Sequence, residues 1–251
     1  HQGWMFQTER ACLLVDPLLE EEFGQVHVLT RRVYPPRVFK PEAFPAVDAV
    51  ILTHEHDDHF DIPSLAKLSR EIPIHLSARS SSAAHTILRE MGFRVVPLEP
   101  GIGVTFADLE VTALAGDHVH VDCGDEWDTL PLLVRDVGGD GSFFSMVDVT
   151  PTDRHFLLAK DVVAKPGLVA WTNNALDWSH MTDFVHAMSG STEACAARMG
   201  VGWDQVRRVW GKPAAMLLCA GGFSFHGERK WLNQRVFPID GERACASLER
   251  A

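Results

Sequence analysis

A cluster of potential metal ligands follows directly on a short apolar run. The run Ala49-Val50-Ile51-Leu52 has the composition of a buried strand. Imidazole nitrogens and carboxylate oxygens suit a borderline cation such as zinc. So many of them in one short stretch would lose solvation without compensation unless they bound a cation. The sequence therefore predicts a metal site at the end of a strand, with His54, His56, Asp58 and His59 as ligands.

The spacing within this cluster divides the ligands between two ions. Residues two apart in an extended segment point the same way, so we expect His54 and His56 to bind one ion together. Asp58 and His59 lie beyond the following turn, which predicts a second ion about 3.5–4 Å from the first. The competing interpretation is a solvated polar loop that contains histidines by chance, and ligand clusters this dense rarely arise in that way.

The residues that carry the cluster resemble a known family. Thr53 to His59 resembles the His-x-His-x-Asp-His signature of the metallo-β-lactamase superfamily, and Leu13-Leu14-Val15-Asp16-Pro17 is similar to its early strand that ends in Asp-Pro. Within the superfamily, the chain most resembles the branch that contains ascorbate-phosphate lactonases and N-acyl-phosphatidylethanolamine-hydrolysing phospholipases. The resemblance implies an α/β (α+β) fold, a four-layer αββα sandwich, as a single domain over residues 1–251. We expect Asp16 to support the metal ligands rather than to bind metal.

The resemblance also implies the remaining metal ligands. Asp148 ends the apolar strand 143–147 and is similar to the aspartate that bridges both ions in the family, although its flanking residues depart from the family pattern. The third ligand of the first ion is expected at His118, and the last ligand of the second ion at His226. The alternatives that stay open are His120 for His118 and His180 for His226.

These ligands predict a metal-dependent hydrolase that binds two Zn2+ ions, with iron or manganese as alternatives. Two dications lower the pKa of a shared water from about 15.7 towards about 7, so a metal-bound hydroxide is available at neutral pH. We expect it to attack an ester, lactone, amide or phosphodiester bond of a small-molecule substrate. Asp58 is the expected catalytic residue, because it can orient that nucleophile as well as bind metal.

Two other classes of protein stay open. One is a di-iron oxygenase or another redox protein on the same fold, and the other is a scaffold that binds metal without turnover. His56 favours the hydrolase, because the related oxygenases tend to carry a carboxylate at that position.

Composition limits the partners and the compartment. The 23 basic and 34 acidic side chains give a net charge of −11, which disfavours nucleic acid as a partner. The five scattered cysteines argue against a disulfide scaffold, and no apolar run reaches the roughly 20 residues of a membrane span. We therefore expect a cytoplasmic protein. The first residue is His1, which predicts a processed or incomplete N-terminus, and no sequence feature fixes an oligomeric state.

Three other stretches carry specific expectations. Residues 20–46 lack a sustained hydrophobic period, which predicts a long surface loop beside the active site. Residues 191–199 and 203–210 predict two helical segments. The serine-rich stretch 77–82 precedes a helix, where it either caps the helix in the ordinary way or holds a substrate anion.

Overall fold

The computed structural model describes residues 3–24, 31–34, 36, 38–116, 129–149, 152–172, 192–212, 215–219, 223–233, 242, 245–246 and 249, and within 192–199 it describes the backbone only. In chain order the strands are β1 (Trp4–Gln7), β2 (Cys12–Val15), β3 (Glu22–Phe23), β4 (Arg31–Val33), β5 (Ala49–Leu52), β6 (Ile74–Ser77), β7 (Val95–Leu98), β8 (Gly103–Phe106), β9 (Leu109–Ala113), β10 (Leu132–Asp136), β11 (Ser142–Met146), β12 (Leu168–Thr172), β13 (Ala215–Cys219) and β14 (Phe223–Phe225). The helices are α1 (Ile62–Ala66), α2 (Ser82–Glu90), α3 (Asp153–Val162) and α4 (Thr192–Trp210), with short 3-10 turns at Pro41–Ala43 and Gly227–Leu232.

The first sheet has the order β1-β2-β5-β6-β7, with β1 antiparallel at one edge and the other strands parallel. A strand that is covered on both faces needs apolar side chains at every position, and both β2 and β5 are buried throughout. Ile51 packs between the two large sheets, whereas Val50 and Leu52 pack on the outer face against α1 and α2.

The second sheet has the order β13-β12-β11-β10-β9-β8. Its inner face contributes Leu132 and Phe143 to the core that it shares with the first sheet. On its outer face, the Phe144 ring lies 6.3 Å from Phe156 of α3 and 5.3 Å from Trp210 of α4, measured between ring centroids. The layers therefore run helices, sheet, sheet, helices, which confirms the predicted αββα sandwich.

A third, small sheet corrects the prediction for residues 20–46. Within that stretch β3 and β4 pair with each other, and β4 also pairs with β14 from near the other end of the chain. These strands have only two or three residues each, which is too few to show a period of two in the sequence. Their small core contains Leu18, Phe23, Val33, Phe223, Phe225 and Leu232.

The structure also corrects the prediction of two helical segments near the C-terminal end. α4 is one continuous helix of 19 residues that includes Gly200 and Gly202. Gly202 lies against the indole of Trp171, and a Cβ atom there would lie 1.8 Å from the Trp171 Cζ2 atom. Glycine is therefore required at position 202 by the close approach of a ring, not by a break in the helix. Among the described residues, no helix has the length and apolar character to cross a membrane.

We predict opposite effects of alanine at the two glycines of α4. Gly202→Ala should lower the free energy of unfolding by about 1–3 kcal/mol, because the added methyl group overlaps the Trp171 ring. At Gly200 an added Cβ atom would have no neighbour within 4 Å. Gly200→Ala should therefore raise the free energy of unfolding by about 0.5–1 kcal/mol, because alanine loses less backbone entropy in a helix. Urea denaturation of both variants tests this. Equal stabilities would contradict the close approach of α4 and β12.

Candidate metal centre

The stretch Thr53–His59, here called the metal loop, joins β5 to α1. After His56 the chain makes a tight turn, in which the backbone N–H groups of His59 and Phe60 both donate to the His56 carbonyl, at 2.9 and 2.8 Å. Asp61 then caps α1 by accepting from the Ser64 backbone N–H at 2.9 Å. The metal loop is thus fixed between a central strand at one end and a capped helix at the other.

Five predicted ligands lie together at the carboxyl ends of β5 and β11. Asp148 connects them, since its Oδ2 atom lies 3.4 Å from His54 Nε2, 3.8 Å from His56 Nδ1 and 3.2 Å from His59 Nε2. Among the described residues, the groups whose ligand atoms all lie within 4.8 Å of one another are Asp16-His54-His59, His54-His56-Asp148 and Asp58-His59-Asp148. The Asp148 carboxylate is therefore shared by two groups that each resemble the ligand set of one ion.

The histidine nitrogens fit a metal ion. His54 Nε2 and His56 Nδ1 lie 2.8 Å apart, with the two rings nearly perpendicular at 79°. Two imidazole nitrogens that bind one zinc ion at about 2.0–2.1 Å with tetrahedral angles lie about 3.3 Å apart. Lone pairs this close repel each other unless a proton or a cation lies between them. A small outward movement converts the present arrangement into one that holds an ion.

Asp16 orients two of these histidines. Its Oδ1 atom accepts from the Thr53 backbone N–H at 2.8 Å, and its Oδ2 atom accepts from the Thr53 hydroxyl at 2.6 Å and from His59 Nδ1 at 2.8 Å. Because the Thr53 proton goes to Asp16, the Thr53 oxygen can accept from His54 Nδ1, at 2.9 Å. Both Nδ1 atoms then carry protons, so Nε2 is the atom that each ring can offer to a metal, in His59 after the loss of its second proton.

Both aspartates at the strand ends have an unusual backbone conformation. Asp16 has a φ of 45° and Asp148 a φ of 57°, in the left-handed region that non-glycine residues seldom adopt. Aspartate tolerates this region better than most residues, yet the conformation still has a cost. Each sharp bend turns a carboxylate towards the cluster directly after a buried strand, a placement that continued extended backbone would not give.

The electrostatics of the centre favour added positive charge. Burial by itself would lower the pKa of His59, but the negative charges of Asp58 and Asp16 and hydrogen bonds to carboxylates raise it to about 10. At His54 burial dominates and lowers the pKa to about 4. Burial would raise the pKa of Asp148, yet its contacts with the side chains of the three histidines, including the positive charge of His59, hold it well below its usual range. A dication that displaced the His59 proton would satisfy the same carboxylates.

Of the other predicted ligands and their alternatives, His226 lies within the described residues. His118, its alternative His120, and His180 lie outside the described residues. His226 follows β14, and its Nε2 atom lies 3.5 Å from a carboxylate oxygen of Glu22. It belongs to none of the ligand groups found among the described residues, so its role as a ligand stays a prediction.

Two residues of the metal loop have roles that the sequence analysis did not assign. One is Thr53, whose hydroxyl links Asp16 to His54. The other is Glu55, which accepts from the Ser81 N–H and hydroxyl groups at 2.7 and 2.6 Å. Ser81 is the N-cap of α2, accepting from Ala84 N–H at 3.1 Å. The anion at this helix N-terminus is therefore a side chain of the protein, and the serine-rich stretch caps the helix in the ordinary way.

A four-layer sandwich with a buried His/Asp cluster at its strand ends defines a metal-binding protein of the metallo-β-lactamase fold. The family described as Beta-lactamase superfamily domain matches residues 12–202, and the chain belongs to this family. Membership confirms the resemblance to the metallo-β-lactamase superfamily that was drawn from the sequence.

Solved structures show the same fold at low sequence identity. The diiron β-hydroxylase CmlA from Streptomyces venezuelae matches with a TM-score of 0.60 and 18% identity, over 98% of this chain and 47% of that one. The isothiocyanate hydrolase from Delia radicum gut bacteria matches with a TM-score of 0.58 and 16% identity, over 93% of this chain and 89% of that one. The chain thus spans about half the length of the hydroxylase. A comparison with curated proteins finds no match.

We predict that the Thr53 hydroxyl is required for tight metal binding. Thr53→Val keeps the shape of the side chain but removes the link between Asp16 and His54, so the affinity for metal should fall about 10–100-fold, as for other residues that orient metal ligands. Thr53→Ser keeps the hydroxyl and should bind metal nearly as the unchanged protein does. Competition against a chromogenic chelator measures both affinities. A valine variant with full affinity would show that the link has no such role.

We also predict that the metal-free protein loses stability as the pH rises from 6.5 to 8.5. With a folded-state pKa of about 10 against an ordinary value of 6.5, His59 is protonated in the folded protein but mostly deprotonated in the unfolded chain over this range. Its stabilising contribution is therefore complete below pH 6.5 and declines up to about pH 10. The slope should be about 1 kcal/mol per pH unit. Urea denaturation of chelator-treated protein measures it. His59→Gln should flatten the slope; an equal slope in both proteins would assign it to another group.

Proposed function

We propose that the chain is a hydrolase that holds two zinc ions and cleaves an ester, lactone, amide or phosphodiester bond of a small molecule. The observation that carries this proposal is the position of Asp148 Oδ2, within 3.8 Å of nitrogen atoms from His54, His56 and His59. A carboxylate between two ligand groups is the arrangement expected of a bridge in a two-metal site.

The ligands divide between the ions as their positions in the metal loop suggest. His54 and His56 would hold the first ion with His118, and Asp58 and His59 would hold the second with His226. Asp148 would lie between the ions. The assignments of His118 and His226 rest on the family resemblance, and His120 and His180 remain their alternatives.

When bound, two dications make a deprotonated water available at neutral pH and polarise the scissile carbonyl or phosphoryl group. Side chains of the protein set the protonation states around these ions. Burial would raise the pKa of Asp58, but the net effect of its surroundings, led by the positive charge of His59, is to lower it well below the usual range. Asp58 therefore stays ionised and can accept a hydrogen bond from the attacking water. Asp16 holds His59 Nδ1 and so keeps that imidazole from rotating.

A di-iron oxygenase is the second candidate function. The likeness to the diiron β-hydroxylase CmlA, at a TM-score of 0.60, is the observation that favours it. His56 supports the hydrolase, because the family resemblance implies a carboxylate at that position in the related oxygenases. Metal content separates the two, since the oxygenase requires iron and the hydrolase is expected to retain zinc.

We predict that the purified protein contains two ions per chain and that His56→Ala loses hydrolysis. Elemental analysis gives the identity and number of the ions, and a panel of phosphodiester, lactone and ester substrates reports turnover before chelation, after chelation and after zinc is restored. The His56→Ala variant should fall at least about 100-fold in kcat/KM, because a two-metal site that has lost a ligand no longer places its nucleophile.

The matched control is His85→Ala. His85 lies on α2 outside the ligand groups, with its Nε2 atom 3.3 Å from the Ser77 carbonyl oxygen. This variant should keep its metal and its activity. A His56→Ala variant that turned over substrate with unchanged metal content would refute the assignment, and purified protein that binds iron and reacts with oxygen would favour the second candidate.

A further inference from the structure

The metal loop alternates between residues that join the ligand cluster and residues that bind elsewhere. Glu55 lies between His54 and His56 in sequence, and its carboxylate binds Ser81 of the α2 cap. Asp57 lies between His56 and Asp58, and its Oδ2 atom accepts from Arg31 Nη2 at 2.5 Å. The two acids outside the ligand cluster thus attach the loop to two different parts of the fold.

The backbone and side chain of Arg31 are fixed by contacts other than the ion pair with Asp57. It begins β4, where it pairs with Phe23 of β3 and Phe225 of β14. Its guanidinium carbon lies 4.5 Å from the centre of the Phe23 ring and 5.4 Å from that of Phe223. Its side chain is 16% exposed, and its Nε atom has no hydrogen-bond partner within the described part of the chain. The rings fix the plane of the guanidinium, so the ion pair with Asp57 has a defined direction.

The direction of the Arg31–Asp57 ion pair is important because of where Asp57 lies in the metal loop. It follows His56, whose carbonyl accepts both hydrogen bonds of the tight turn, and it directly precedes Asp58 and His59. The ligands of the proposed first ion come before this turn and those of the second ion come after it. A contact that holds Asp57 therefore sets the orientation of the second pair relative to the first.

We propose that Arg31 is a positioning residue for Asp58 and His59, acting through Asp57 and coupling the small third sheet to the second metal position. This inference rests on the proposed function, since it requires that the protein bind two ions. It gives the third sheet a part in the site even though no residue of its three strands belongs to the ligand groups found among the described residues.

A positioning role and a simple charge effect predict opposite changes in metal affinity when Arg31 is removed. Arg31 brings a positive charge near the centre, so if charge alone mattered, its removal would strengthen the binding of a dication. If Arg31 acts by fixing Asp57, its removal lets the turn move, and binding weakens. Arg31→Lys separates the effects further, because lysine keeps the charge but lacks the planar group that stacks between Phe23 and Phe223.

The experiment is a stepwise zinc titration of metal-free protein in competition with a chelator. In Arg31→Ala one of the two binding steps should weaken on the order of tenfold, within the range seen for residues that orient metal ligands. The other step should stay within about twofold, and Arg31→Lys should weaken the same step. In cobalt-loaded protein the visible absorption bands of that site should shift, which a loss of general stability would not cause. Arg135→Ala is the control, because it removes an ion pair of similar length, 2.7 Å to Glu110, between β9 and β10.

The outcomes are distinguishable. Unchanged or tighter binding in Arg31→Ala would overturn the inference and assign Arg31 a charge effect at most. Where Arg31→Ala does not fold, Arg31→Lys decides, and full affinity in that variant overturns the inference as well. Equal weakening in Arg135→Ala would also overturn it. If the unchanged protein binds fewer than two ions, the proposed function itself fails, whatever the variants do.

Discussion

The buried carboxylate of Asp16 is the constraint on which the centre depends. It is 3% exposed, and an ionised group this deeply buried is tolerated only when hydrogen bonds satisfy it. Three donors do so: the Thr53 N–H, the Thr53 hydroxyl and His59 Nδ1. The same bonds fix which nitrogen of His54 and of His59 faces the cluster. The requirement for satisfied buried charge and the requirement for oriented metal ligands are therefore met by one set of contacts.

The topology of the two large sheets makes this set of contacts available. β2 and β5 are parallel neighbours with Val15 opposite Ile51, so Asp16 leaves its strand beside the start of the metal loop. Asp148 comes from β11 in the other sheet and reaches the cluster through a left-handed bend. The ligands thus come from both sheets, and the tightly packed core between the sheets keeps them at a fixed separation. A cluster of this kind requires the sandwich, not the metal loop alone.

The sequence predicted those parts of the molecule whose residues form a recognisable pattern within a short stretch of the chain. The apolar run 49–52 and the spacing of the ligands after it predicted the strand and the metal loop, and the family resemblance of these residues implied the four-layer fold. The third sheet could not, because its strands are two or three residues long and β14 pairs with β4 across nearly 200 positions of the chain. The role of Thr53 was equally hidden, because a hydroxyl reveals which histidine nitrogen it fixes only when the geometry is known. Gly202 resembles a helix break in the sequence, since nothing there places Trp171 beside it.

The charge of the described cluster can be balanced in two ways. Its ligand groups contain three carboxylates, from Asp16, Asp58 and Asp148, and imidazoles that are neutral where they bind metal. One dication gives this set a net charge of −1, which the proton of His59, with its pKa of about 10, brings to zero, as burial of the set requires. A second dication that displaced this proton would bring the sum to +1, which an anion such as a deprotonated water or a negatively charged substrate group would neutralise. The predicted histidines His118 and His226 add no charge, so this balance is the same whichever histidines complete the shells. In the proposed two-ion state, this balance would draw an anionic nucleophile or substrate group to the centre, where the ionised Asp58 would accept a hydrogen bond from the nucleophile.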